Sequence, residues 1–369
     1  MPKDLFMKHN CLFLIILLFA VFIGCDSQKD NSLMAVSNIW DCTSVDNSSA
    51  LNITDIFPRA ETIELEDTEE STVGRINKLI AQDSLLFVLD KNLAKKIFIF
   101  NSETGKFIRS IGTIGSGSDE YVILNDASFD ESSSLLKVLC NNNKIFTYNT
   151  NGELLHTQEL PFRAVNMEIF DGRYYFFSDS QDASEVIVTD NSLKELRSYF
   201  PNKDNPIIHM LVHPFSKNPS EGICYMRYMD NNIYQIHGAD SISIKYQIDF
   251  GDNAYLRSMA ENDGEEVIKQ KLKHYRGRLK YFVENDSAAI IIFFEKGEPC
   301  MSIFNRKDHT SHTAPVANIT ENRFGTLISP IEYSSKNGFY EVIEFLPEQI
   351  PDTVFKHSGE NPIIHVIRK

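Results

Sequence analysis

INKLIAQDSLLFVLDKNLAKKIFIFNSETGKFIRSIG, residues 76–112, contains four short apolar runs, INKLIAQ, LLFVLD, KIFIFN and KFIRSIG. Asp83-Ser84, Asn92 and Glu103-Thr104-Gly105 stand between them. Asn and Gly tolerate the left-handed conformations that tight hairpins need, so the stretch reads as four antiparallel strands. A second set follows: NDASFD, LLKVLC, KIFTYN and ELLHTQEL. SETGKFIRSI and NTNGELLHTQ then place Gly105 and Gly152 at the same point in each set, a step of about 47 residues. AVNMEIF, RYYFFSD, EVIVTD and LKELRSYF make a third set, and IHMLVHPF, GICYMRY, NIYQIH and SIKYQIDF a fourth. AAIIIFFE with CMSIFN, and GTLISPIEY with GFYEVI, continue the pattern.

Four short strands repeated every 40 to 50 residues or so are the mark of a β-propeller. Residues 60–369, less one insertion, divide into six repeats of about 47 residues. The expected fold is therefore all-β, a six-bladed β-propeller with a helical insertion near residues 254–282. ETIELE, residues 61–66, has no local partner and is expected to join the blade that contains NPIIHVIRK, hiding an exposed edge and closing the ring.

The insertion stands apart because Ile268, Leu272, Tyr275, Leu279 and Phe282 follow steps of four and three residues, a helical face. Lys269, Lys271, Lys273, Arg276, Arg278 and Lys280 crowd the same stretch. They read as the solvated side of a helix packed on the propeller, with a docking helix for an acidic partner as the alternative.

Composition fits a large folded domain: 42% of residues are hydrophobic, with 26 Phe and 14 Tyr. The net charge of −15 argues against nucleic acid or an anionic lipid surface as a partner. Lys3 and Lys8 precede CLFLIILLFAVFIG, an apolar run too short to span a membrane comfortably and suited to a signal peptide over residues 1–24. Phe22, Ile23 and Gly24 before Cys25 resemble the bacterial lipobox, in which the cysteine thiol carries diacylglycerol. That resemblance implies a membrane tether at Cys25, a polar stalk to residue 59, and an outer-membrane lipoprotein, surface-exposed or facing the periplasm. Cys42, Cys140, Cys224 and Cys300 have no C-x-x-C spacing and are expected to be buried and unpaired, even though the compartment permits disulfides.

Gly112, Gly115 and Gly117, followed by Glu120 and Tyr121, match a G-x-x-G-x-G…E-Y run. With the closing ENPIIHVIRK, this run resembles the six-bladed propeller lipoproteins of Gram-negative bacteria, relatives of TolB-like and NHL-type propellers. Here Ser118 and Asp119 replace the family's Pro-Gly. The run is not a phosphate cradle, since that needs G-K-[ST] or G-x-G-x-x-G opening a helix, and YVILNDASFD follows instead. It reads as a blade-to-blade connection, on the propeller face that usually binds.

Asp119, Glu120, Tyr121, Arg163, His209 and Arg323 are the candidate binding residues. Glu120 reads equally as a cap for its loop. His209 and His213, on one strand, lie about 13 Å apart by strand rise, too far for one ion. The preferred function is a noncatalytic, monomeric propeller binding a glycan, a peptide or an envelope protein through loops of one face, with no cofactor. The alternative is an NHL-like metal-dependent lyase or hydrolase, with Ca or Zn in the channel among Asn77, Asn125, Asp126, Asn166, His209 and Arg323.

Overall fold

The computed structural model describes residues 36–45, 48, 50–202, 213–260, 263–322, 324–325, 327, 329–344 and 359–369. Its strands assemble into six antiparallel blades of four strands each, two of them widened by one added strand. Blade 1 runs Lys78–Gln82, Leu85–Asp90, Lys96–Asn101 and Phe107–Ile111. Blade 2 runs Leu124–Asp130, Leu135–Cys140, Lys144–Tyr148 and Leu154–Glu159, and blade 3 Asn166–Phe170, Arg173–Phe177, Ser184–Thr189 and Glu195–Pro201. Blade 4 is Phe215–Asn218, Gly222–Met226, Asn232–His237 and Ser241–Asp249, and blade 5 Arg276–Glu284, Ala288–Glu295, Glu298–Asn305 and Ser311–Pro315. Blade 6 joins Ile331–Ser335, Gly338–Ile343 and Ile363–Arg368 to Arg59–Glu64 from the start of the domain. The expected closure by residues 61–66 is thus the observed one.

First strands of successive blades touch all the way round, including Ile331–Ser335 against Lys78–Gln82, and enclose a central channel. Successive side chains on a strand point to opposite faces, and here both faces are covered. Phe87 and Leu89 enter the core shared with blade 2, while Leu86 and Val88 enter the one shared with blade 6. Such a core fills every junction between blades. This double burial is why LLFVLD reads as a continuous apolar run up to Asp90 and LLKVLC is broken only at Lys137, itself buried, rather than alternating. Cys42, Cys140, Cys224 and Cys300 are buried and unpaired.

Two expectations need correction. The stalk reading of residues 25–59 fails from residue 36 onward. Val36–Asp41 lies parallel to Ser241–Asp249 as a fifth strand of blade 4. Trp40 is fully buried, donates its indole N–H to Ser302 Oγ at 2.8 Å, and packs on Tyr246 and Phe304. Farther on, Leu51–Asn52 pairs with Ile319–Thr320, and Asn52 caps the short helix Ile53–Ile56 by accepting from the Thr54 N–H at 3.0 Å. Phe57 then packs on Phe339. Trp40 and Phe57 each fill a core position whose partners, Ser302 and Phe339, lie far along the chain, so only tertiary structure defines it.

The helical insertion is present but shorter than expected. Helices span Arg257–Ala260 and Glu265–Leu272, whereas Arg276, Arg278, Leu279, Lys280 and Phe282 belong to the first strand of blade 5. Ile268 and Leu272 do face a core, built with Tyr228, Met229, Tyr255 and Ala260. The helical run ends because Ala254–Tyr255 pairs with Arg276-Gly277, and a Cβ on Gly277 would stand 2.7 Å from the Tyr255 carbonyl oxygen. The basic residues are accordingly dispersed. Lys271 pairs with Asp263 at 2.7 Å, and Arg276 is buried against Glu295. No described helix is long and apolar enough to cross a membrane.

Candidate functional site

Each first strand begins at the face where blades connect and ends in a hairpin at the opposite face, so the channel has two chemically distinct ends. At the connecting face, the glycine-rich run between blades 1 and 2 is a tightly braced loop. The Tyr121 N–H donates to the Thr113 carbonyl, and the Gly115 N–H to the Tyr121 carbonyl, both at 3.0 Å. Glu120 Oε2 accepts from the Gly117 N–H at 2.9 Å. Tyr121 is buried, and its hydroxyl donates to the Lys95 carbonyl at 2.7 Å. A Cβ at Gly112, whose φ is +101°, would collide with that hydroxyl. Glu120 and Tyr121 therefore brace the loop, while Asp119 is exposed.

Neighbouring loops are pinned in the same manner. Buried Asp90 accepts from the Gly74, Arg75, Asn92 and Leu93 N–H groups. Asn141 Oδ1 accepts from the Val122 and Ile123 N–H groups, both at 3.0 Å. Pinning these backbones leaves large aliphatic side chains facing water: Leu93 is 67% exposed and Val122 54%, with Ile114 and Ile123 about half exposed. Beside them lies a pocket of about 410 Å³ whose polar lining is largely amide, from Asn92, Asn125, Asn142 and Asn166. Arg163 borders this pocket in a two-pronged pair with Asp179, at 2.7 and 3.2 Å. Asn125 and Asn142 hydrogen-bond each other, side chain to side chain at 2.7 Å and backbone to side chain at 2.8 Å.

A larger cavity of about 640 Å³ occupies the channel and extends to the hairpin turns at Asp83, Glu131 and Lys336 on the other face. Lys78 is gripped by Asp126 at 3.0 Å and Glu168 at 2.6 Å. Burial works against its charge, but the two carboxylates outweigh this and hold the ammonium above its ordinary range. Ser128 donates to Glu168 at 2.7 Å, and Asp126 accepts from the Met167 N–H at 2.9 Å, so the network ties the first strands of blades 1, 2 and 3 together. Across the cavity, His213 lies between the rings of Tyr281 and Tyr333, at 5.9 and 5.6 Å. Burial pushes its imidazole down to about 4 and keeps it neutral near pH 7. Glu332 also lines this cavity, hydrogen-bonded to Tyr281, and burial raises its carboxyl above the ordinary range.

The sequence candidates are thus divided. Arg163, Asn125 and Asn166 meet at the amide-lined pocket, and Asp126 serves the Lys78 network. Asn77 accepts the Lys91 N–H at 2.9 Å and fixes a turn. Cys25, His209 and Arg323 lie outside the described residues. Among the described residues, no three His, Cys, Asp or Glu side chains form a group that would hold a metal ion. Lys78, Glu168, Tyr281, Glu332 and Tyr333 were missed as candidates. A signal for two of them was present, since KLIAQ and NMEIF each carry one charged residue in a mostly apolar first strand.

These features define a closed six-bladed β-propeller with a pocket towards each end of its axis. Over residues 37–365 the chain matches the family described as "Domain of unknown function (DUF4934)", and it belongs to that family. Its fold is similar to that of a protein of Bacteroides fragilis described as exported, at 15% identity and a TM-score of 0.70, covering 90% of this chain and 99% of the other. A DUF4221 family member from Bacteroides vulgatus is similar at 11% identity and a TM-score of 0.50, covering 85% and 97%. No curated protein matches the chain.

Proposed function

We propose that the protein is an exported, membrane-tethered propeller that binds an extended segment of an envelope protein on its blade-connecting face, without chemistry of its own. The observation that carries this reading is the group of exposed aliphatics, Leu93, Ile114, Val122 and Ile123, on pinned loops beside the amide-lined pocket. Exposed apolar side chains grouped on a surface mark interaction sites. Asparagine amides present one donor and one acceptor group, as a peptide unit does, so they suit the backbone of an extended segment. Because Asp90, Asn141, Glu120 and Tyr121 already fix these loops, little ordering entropy is lost on binding. The tether reading rests on Cys25 and the residues before it, and the exported description of the similar Bacteroides fragilis protein supports the compartment.

A photo-crosslinker at residue 122 tests the reading in an envelope extract. The expected result is one discrete protein adduct, lost when Leu93→Asp and Ile123→Asp are introduced in a chain that still melts cooperatively. Absence of an adduct, or an adduct indifferent to both substitutions, overturns it.

A further inference from the structure

The channel cavity opens away from the face just described and shares no lining residue with it. At about 640 Å³ it lies within the range of roughly 300–1,000 Å³ typical of small-molecule sites. We propose that it is a second binding site, for a neutral, hydroxyl-bearing small molecule of the sugar class.

The charge arrangement excludes the simpler ligands. The cations inside the wall are already paired, Lys78 with Asp126 and Glu168, Lys217 with Glu131 at 3.0 Å, and Arg368 with Glu61, while Lys336 stands exposed at the rim. An anionic ligand inside the channel would have to break such a pair and leave a buried charge stranded. A purely apolar ligand would instead take water from the groups at His213, Glu332 and the tyrosines and leave them unpaired. A ligand with hydroxyls on an otherwise carbon frame avoids both penalties. His213 and Glu332 stand ready to exchange hydrogen bonds with hydroxyls, while Tyr281, Tyr333, Phe129 and Phe215 supply ring surface for the carbon face.

Saturation-transfer NMR on the whole chain tests this with glucose, galactose, mannose and N-acetylglucosamine as probes, and with spermidine and citrate as charged comparisons. At least one sugar is expected to bind saturably and to shift the imidazole carbon signal of His213, assigned by its loss in His213→Gln. Glu332→Ala should weaken that binding about tenfold, the effect of losing one well-buried hydrogen bond. Val122→Asp, on the opposite face, should leave it unchanged. Four silent sugars, binding without a shift at His213, binding indifferent to Glu332→Ala, or binding by the charged probes alone would each overturn the proposal. Loss in Val122→Asp would also overturn it by moving the sugar to the other face.

Discussion

Ile63, in the strand that opens the propeller, pairs directly with Ile364 in the strand that ends it. About three hundred residues separate the two positions, yet both side chains enter the same core between blades 6 and 1. The ring is held shut at one seam by ordinary strand pairing and apolar packing. Ile63→Ala removes buried methylenes there and should cost about 2–4 kcal/mol. Urea denaturation is expected to show a single transition shifted to lower denaturant, because a loosened seam exposes the flanking blades as well.

Trp40 is the only tryptophan in the chain and is fully buried against blades 4 and 5. Its fluorescence should be blue-shifted and shielded from acrylamide in the native protein, with both properties lost in one step on unfolding. Trp40→Phe removes the hydrogen bond to Ser302 and part of the ring, and should destabilise by about 1–3 kcal/mol. Red-shifted, freely quenched emission would return residues 36–42 to the stalk.

What could be read from the chain and what could not divide along a physical line. Gly105 and Gly152 recur because each repeat makes its own hairpin, and a local pattern reports a local structure. Trp40 takes meaning only from Ser302, 262 positions away. Residues 268–282 carried a helical spacing, yet Leu279 and Phe282 are strand residues. The spacing persisted across a junction at Gly277 that owes its shape to Tyr255. The channel was hidden for a related reason: its lining comes from several first strands and their hairpin turns, so no single stretch contains the site. Asp126 was picked out, but its partners Lys78 and Glu168 were not.

Lys78 satisfies two buried carboxylates, so Lys78→Met should be strongly destabilising, by about 3–5 kcal/mol, although it adds apolar surface. Adding Asp126→Asn and Glu168→Gln should recover much of the loss, since no charge is then left stranded. Chemical denaturation of the single and triple variants measures the difference. Because the Lys78 ammonium is held above its ordinary range, its contribution is present at neutral pH and disappears only in strong alkali.

His213 behaves oppositely. Its folded imidazole is held down to about 4, whereas the unfolded chain takes up the proton near 6.5. Between those values the unfolded state binds more protons, so stability is full above about pH 6.5 and declines as pH falls towards 4. The His213-dependent part should amount to about 1–3 kcal/mol. Denaturation at pH 7 and pH 5 in wild type and His213→Gln isolates it, and equal pH dependence in both chains would count against a buried neutral imidazole.

Closure of six blades into one ring is the claim on which the placement of both pockets depends, and a cross-link at the seam tests it most directly. Arg59 and Arg368 are opposite each other in the closing pair, and the four described native cysteines are buried. With Arg59→Cys, Arg368→Cys and Cys25→Ser combined, mild oxidation of the folded chain is predicted to give a monomeric disulfide quickly and in high yield. Free thiols after oxidation, or disulfide-linked dimers alone, would show that the two ends of the domain do not meet.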